Sequence, residues 1–260
     1  MDRMRRLGIA AAVLAAALLV AVAAGCGDDD GAGATGTAAG ERPTVLAAAS
    51  LAEAFPAIAK APRYSFAGSD TLALQIRQGA PADVFASAAP KYTQELFRDG
   101  LVERPQPLAA NRLAVIVPSG NPAGIEAVAG LADPGVRLVL ASEDVPAGGY
   151  AREALRTLGL GAALDNVVSE EPDVKDVVGK VALGQADAGV VYTTDARAAG
   201  DRVRVVPVPA RAQPDIRYEI AVVASAPHPE AARAFVARAT GPDGRAALAR
   251  AGFAVDAAAP

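Results

Sequence analysis

The stretch "TVLAAASLAEAF", residues 44–55, runs an apolar strand through three alanines to Ser50 and directly into a helical pattern. Ser50 followed by Leu51, Ala52 and Glu53 has the form of a capping box, in which the serine accepts from an early helix amide and Glu53 reaches back. A hydroxyl in that role keeps its own proton free to donate. It also lies beside unpaired first-turn amides at the positive end of a helix dipole, a combination suited to holding an anion. The construction recurs. "SFAGSDTLALQI" carries a strand through Gly68, which permits close backbone approach, to Ser69 and a second helix. "EDVPAGGYAREAL" ends a strand at a Pro-Ala-Gly-Gly turn whose free amides, that of Ala147 among them, open a third helix. "EEPDVKDVVGKV" has Pro172 near a helix start and leaves the amide of Val174 unpaired.

Four small or neutral helix tips can converge on one cleft, because ligands of open α/β sheets bind beyond the carboxyl ends of the strands, where all four lie. No cation stands among them, and Lys175, next to Val174, is expected to face solvent. A site made of amides and hydroxyls holds a fully ionised anion by dispersed dipoles and disfavours a ligand that keeps a proton. The residues alone therefore point to a small dianion captured dry between two lobes. Asp70, beside Ser69, is expected to repel an anion unless it turns away or caps its own helix. Pro56 falls about a turn and a half into the first helix and should shorten or kink it.

The elements that must position these tips alternate from Pro43 onward, the signature of an α/β layered fold. Strands are expected at 44–48, 64–67, 83–87, 113–117, 137–141, 188–192, 203–207 and 219–224. Helices are expected at 51–60, 71–78, 91–99, 149–158, 174–183 and 229–239. Val174, Val177, Val178, Val181 and Ala182 fall on one helical face, as do Ala151, Ala154, Leu155 and Leu158, so each of these helices packs one side on a sheet. The segments "NRLAVIVPSG" (111–120) and "RYEIAVVASAP" (217–227) bracket about a hundred residues with their own alternation. They read as paired crossover strands joining a first lobe, 43–117 plus 221–260, to a second, 118–220.

The first 26 residues carry Arg3, Arg5 and Arg6, an apolar run from Leu7 to Ala24, and then Gly25 and Cys26, the only cysteine. This reads as a lipoprotein signal over residues 1–25, with Cys26 as the lipidated new N-terminus and residues 26–42 as a flexible tether. The mature protein is then extracytoplasmic and held at the membrane by its lipid alone. One cysteine allows neither an intrachain disulfide nor a cysteine-built metal site. A net charge of −4, no tryptophan and no basic run leave no nucleic-acid footprint. The single histidine, His228, is placed in a loop at the surface, far in sequence from each serine named. With no G-x-S-x-G, H-E-x-x-H or P-loop motif, an enzyme is not indicated.

"VLAAASLAEAF", "SFAGSDTLALQI", "GAPADVFASA", "VPAGGYAREALRTLG" and "ADAGVVYTTDA", in that order, resemble the motifs of the periplasmic molybdate-binding proteins of ABC transporters. The similarity extends from Thr44 to Phe253. It implies a two-lobed type II periplasmic-binding-protein fold, with the ligand cleft between lobes joined by two crossover strands. It also implies hydroxyl and amide donors at Ser50, Ser69, Ala147 and Val174, with the phenol of Tyr192 completing the shell of a tetrahedral oxyanion. Molybdenum would be held only as that oxyanion, with no cofactor. The implied ligands are molybdate and tungstate, with another dianion such as sulfate as the alternative. The implied partners are a permease and an ATPase on separate chains, and the binding protein itself is expected to be a monomer. Gly68 and Asp70 depart from the serines frequent in the family beside Ser69, and the stretch from Ser50 to Ser69 is short for it.

Overall fold

The structure, a computed structural model, describes residues 42–255. The expected leader, Cys26 and all but the last residue of the expected tether lie outside the described residues, as do the last five of the first lobe. Among the described residues no helix is long and apolar enough to cross a membrane.

Two five-stranded sheets organise the described residues. In the first, β1 (Thr44–Ala48) lies parallel between β2 (Arg63–Ala67) and β3 (Val84–Ser87). Beyond β3 come β10 (Ile216–Val222) and then β4 (Gln106–Asn111), with β10 antiparallel to both its neighbours. In the second, β6 (Leu138–Ala141) lies parallel between β7 (Val167–Glu171) and β8 (Ala188–Tyr192). There β5 (Leu113–Pro118) runs antiparallel to both β8 and β9 (Val203–Pro207). The central strands β1, β3, β6 and β8 are almost wholly buried and read as near-continuous apolar runs, as strands covered on both faces must.

The two strands expected to pair as crossovers do not touch as a ladder. β5 belongs entirely to the second sheet and β10 entirely to the first, so the chain changes sheets at Arg112 and again between β9 and β10. This shifts the sheet division from the expected 117/118 and 220/221 positions by several residues. Strand β4, which has Pro107 near its start, occupies the sheet edge where a proline costs no ladder bond; that proline hides it from a pattern search. The side chain of Gln213 ties the two crossings together: it accepts from Leu113 N at 2.8 Å and donates to Leu113 O at 2.9 Å.

Helices cover both faces. On one side of the first sheet pack α2 (Ser69–Arg77), through Leu72, Ala73 and Ile76, and α3 (Pro90–Arg98), through Tyr92 and Leu96. On the other side lie α1 (Ala54–Ile58), α7 (Pro229–Thr240) and α8 (Pro242–Ala251). The second sheet carries α4 (Pro146–Thr157), α5 (Val174–Ala182) and α6 (Thr193–Ala199). The valine stripe of α5 is buried at Val174, Val177, Val178 and Val181, as its period requires. The first helix differs from expectation: a 3-10 turn, Ala49–Leu51, precedes a five-residue α1. Pro56 is then its third residue, where a missing N–H breaks no helical bond.

Candidate functional site

All five residues singled out above, Ser50, Ser69, Ala147, Val174 and Tyr192, line one cavity between the two sheets. Ser50 stands in the 3-10 turn after β1, Ser69 opens α2, Ala147 and Val174 open α4 and α5, and Tyr192 ends β8. The cavity volume is about 10 Å³, close to what a single water-sized sphere requires. Ala48, Ala49, Ala67, Gly68, Ala88, Val145, Pro146 and Asp173 complete its wall, and no lysine, arginine or histidine lines it.

Ser69 has its oxygen engaged in a way that leaves a proton to give. The Ala88 amide donates to Ser69 Oγ at 3.1 Å, and Ser69 donates to no acceptor among the described residues. Ser50 Oγ lies 2.8 Å from the Tyr218 hydroxyl. The capping box is not formed: Ser50 makes no cap bond and Glu53 is exposed, because the chain spends a 3-10 turn before α1 begins.

The second-sheet side offers main-chain donors. In α4, Pro146 has no N–H, and the amides of Gly148 and Gly149 turn back to the Val145 carbonyl at 2.9 and 3.0 Å. That leaves the Ala147 amide without an intrahelical partner. A Cβ on Gly148 would stand 2.1 Å from Ser142 O and 2.2 Å from Ala141 O, so only glycine lets α4 start this close over the end of β6. In α5, Asp173 Oδ1 caps the amides of Lys175 and Asp176 at 2.7 and 3.2 Å. The cap passes over Val174, whose amide, the first of the helix, stays unpaired.

Tyr192 is buried, and its hydroxyl has no hydrogen-bond partner of regular geometry, neither main chain nor side chain. An unsatisfied buried hydroxyl is costly, so one that faces a cavity wall points to a ligand. Burial above all, then Tyr218, Tyr150 and Asp195, hold its phenol far above the ordinary tyrosine range, so it is a neutral donor.

Lys175 and His228 fall differently from expectation, and Asp70 turns away from the cavity. Asp70 is absent from the cavity lining; its Oδ2 accepts from Thr71 Oγ1 at 3.2 Å, while Oδ1 is buried without a partner. Lys175 turns inward: its Nζ stands 3.3 Å from Oδ1 of the buried Asp195, without the alignment of a hydrogen bond. Burial raises the Asp195 carboxyl to about 6 against the opposing pull of Lys175. His228 is half-buried rather than free at the surface. Its main-chain N–H donates to Asp83 Oδ1 at 2.6 Å, and its Nδ1 lies 3.2 Å from Oδ2 of that buried acid.

The sheets meet closely around the cavity. A Cβ on Gly68 would lie 2.5 Å from Asp70 Oδ1 on its own side, and 2.7 Å from Pro172 O and 3.4 Å from Val145 Cγ2 on the far side. Tyr92 of α3 donates to the carbonyl of Asp144 across the same gap. Behind Ser50 lies a buried network that no sequence pattern marks. Asn111 Nδ2 donates to Thr194 Oγ1 at 2.9 Å and to the Tyr218 hydroxyl at 3.3 Å. Its Oδ1 accepts from Arg112 N at 2.9 Å and from Thr193 Oγ1 at 3.1 Å.

The family model for bacterial extracellular solute-binding proteins matches residues 43–254. The molybdate-binding protein ModA of Mycobacterium tuberculosis is 38% identical over 263 residues, spanning 96% of this chain and 99% of the relative. Among solved structures, the periplasmic molybdate-binding protein of Azotobacter vinelandii superposes with a TM-score of 0.72 at 24% identity. It covers 82% of this chain and 98% of that one. The sulfate-binding protein SubI of M. tuberculosis gives 0.68 at 22%, over 83% and 87% of the two chains. At those identities the two structures speak for the two-lobed fold alone. From the match over nearly all of its described residues, and from the identity to the mycobacterial relative, the chain belongs to the bacterial extracellular solute-binding protein family.

Proposed function

We propose that this protein captures molybdate, and tungstate with it, outside the cytoplasm for import by an ABC transporter. The observation that carries the reading is the convergence of five donors on one small cavity that no cation lines: two hydroxyls, two helix-start amides and an otherwise unpartnered phenol. Such a shell suits an anion that brings acceptors only. A relative named for molybdate binding, matched along almost its whole length, supplies the choice of oxyanion.

In this reading, the lobes open at the two crossings near Arg112 and Gln213 and admit the oxyanion. They then close with donors from both sides, Ser50 and Ser69 from the first sheet and Ala147, Val174 and Tyr192 from the second. Because the ligand touches both lobes only when they are shut, its binding energy favours the closed form. The closed monomer delivers its cargo to a permease powered by a separate ATPase, and performs no chemistry itself. Cys26, lipidated after removal of residues 1–25, holds it at the membrane. Molybdate is cargo and not a resident cofactor.

Isothermal titration with molybdate, tungstate, sulfate and phosphate at neutral pH tests the reading. One-to-one binding of molybdate and tungstate, with the other two silent, is expected. Binding of sulfate with molybdate silent would assign the cavity to the smaller dianion instead.

A further inference from the structure

The direction of the hydrogen bonds behind Ser50 can be worked out by elimination. Arg112 N can only donate, and it points to Asn111 Oδ1; this fixes the amide so that its NH2 group faces Tyr218 and Thr194. The Tyr218 oxygen therefore receives a proton from Asn111. Tyr218 is buried and has one proton of its own to place. Its hydrogen-bond partners of regular geometry are Asn111, which cannot accept through nitrogen, and Ser50 Oγ at 2.8 Å; the neighbouring Tyr192 hydroxyl does not meet that geometry. If Ser50 donated to Tyr218, the phenol's proton would be left buried without an acceptor, a costly arrangement. The proton of Tyr218 thus goes to Ser50 Oγ, and that of Ser50 is turned into the cavity. Burial, with the nearby Asp195 adding to it, holds the Tyr218 phenol far above its ordinary range, so it does not lose that proton.

We propose that Tyr218, oriented by Asn111, is a positioning residue that fixes Ser50 as a proton donor to the bound oxyanion, so that the site refuses tetrahedral oxyanions that keep a proton. The inference rests on the oxyanion reading above. Ser69 reaches the same state by a shorter route, through the Ala88 amide, which likewise can only donate. With both serines held as donors, a hydroxyl on the ligand finds no acceptor in the shell. Tyr218 does this from 168 residues along the chain, on the strand that belongs to the first sheet after the second crossing.

The test uses the full-length protein and its Tyr218→Phe variant, titrated with molybdate, arsenate and selenate. At neutral pH arsenate keeps a proton, while selenate, close to it in size, has none. In the variant Ser50 Oγ loses its donor and can accept from the ligand. Molybdate binding is expected to weaken about tenfold, the scale of one hydrogen bond to a charged group. Preference for selenate over arsenate is expected to fall by about the same factor or more. A structural role alone would weaken all three anions together and leave that preference unchanged, which would overturn the proposal. Should Tyr218→Phe fail to fold, Asn111→Asp gives the Tyr218 proton a carboxylate acceptor, so that the Tyr218–Ser50 pair can reverse, and must shift the same ratio in the same direction. If the wild-type protein binds neither molybdate nor selenate, the oxyanion reading falls and this inference with it; if wild type binds and the ratio holds in the variants, only the inference falls.

Discussion

The two walls of the cavity supply donors by different means. On the first-sheet wall the donors are side chains, Ser50 and Ser69, whose protons are aimed by partners distant in sequence. On the second, apart from Tyr192, they are main-chain amides exposed by the way two helices begin: Pro146 and Gly148 at α4, the Asp173 cap at α5. A hydroxyl can be deleted by one substitution and can reverse its role. An amide at a helix start can do neither, but its position depends on local backbone geometry. In the proposed reading the first wall is where selectivity can be tuned, and the second is a fixed electrostatic floor.

The contrast can be broken most severely at the line where the walls meet. Gly68→Ala places a Cβ against Pro172 O, so the lobes cannot reach their present approach. Molybdate binding is expected to weaken by about 3 kcal/mol, the scale of overpacking a tight contact, and by more than the unliganded protein loses in stability through the same Cβ meeting Asp70 Oδ1. Titration calorimetry beside thermal melting reads both numbers, and retained affinity would show that closure does not bring Gly68 against the second lobe.

Next come the serines. Ser50→Ala and Ser69→Ala should each weaken binding by roughly 1.5–3 kcal/mol. Ser69→Ala also strips the buried Ala88 amide of its acceptor, so it should lower thermal stability as well. Affinity equal to wild type in both variants would remove them from the site. Tyr192→Phe sharpens the comparison, because the hydroxyl it removes has no regular partner in the protein. Binding should fall by about 1.5 kcal/mol with no loss of stability, since no protein hydrogen bond is broken. A variant that instead melts lower would give the hydroxyl a structural role.

Asp195 provides a pH test of the second wall. Its folded value of about 6 lies above the ordinary 3.8, so the folded state takes up a proton more readily than the unfolded chain. Its contribution to stability is fully present below about 3.8 and is lost as the pH rises through about 6. Asp195→Asn should therefore stabilise the protein relative to wild type more at neutral pH than at acid pH. A melting difference between the two proteins that does not change across that window would rule out the titration. The smallest effect is expected at Asp173→Asn, which keeps the α5 cap and removes a carboxylate from the cavity lining. Stability should change by no more than a few tenths of a kcal/mol and the anion should bind slightly tighter.

Three of the four candidate donors found without reference to any family were legible because each is a local event. A glycine, a proline-glycine turn or a proline before a valine stripe marks where a helix begins, and the unpaired amide follows from helix geometry, although at α5 Pro172 stands before the cap and Asp173 makes it. Ser50 was singled out for the wrong local reason. Its capping box dissolves into a 3-10 turn, and the hydroxyl is organised by Tyr218 instead. The inward turn of Lys175 toward Asp195 escaped the sequence because a helix pattern assigns a lysine to the solvent face unless a buried acid waits on another element. Strand β4 was missed for the proline that its edge position tolerates.

What the chain determined by itself, then, is the set of strand-to-helix junctions and the type of donor each presents, since these depend on residues within a turn of one another. Tertiary structure alone decided which sheet each crossover strand joins, how near the two walls approach, and which way the serine protons point. Those depend on contacts between residues from 19 to 168 positions apart, and the strength of such a contact is set by burial and alignment that no local pattern encodes.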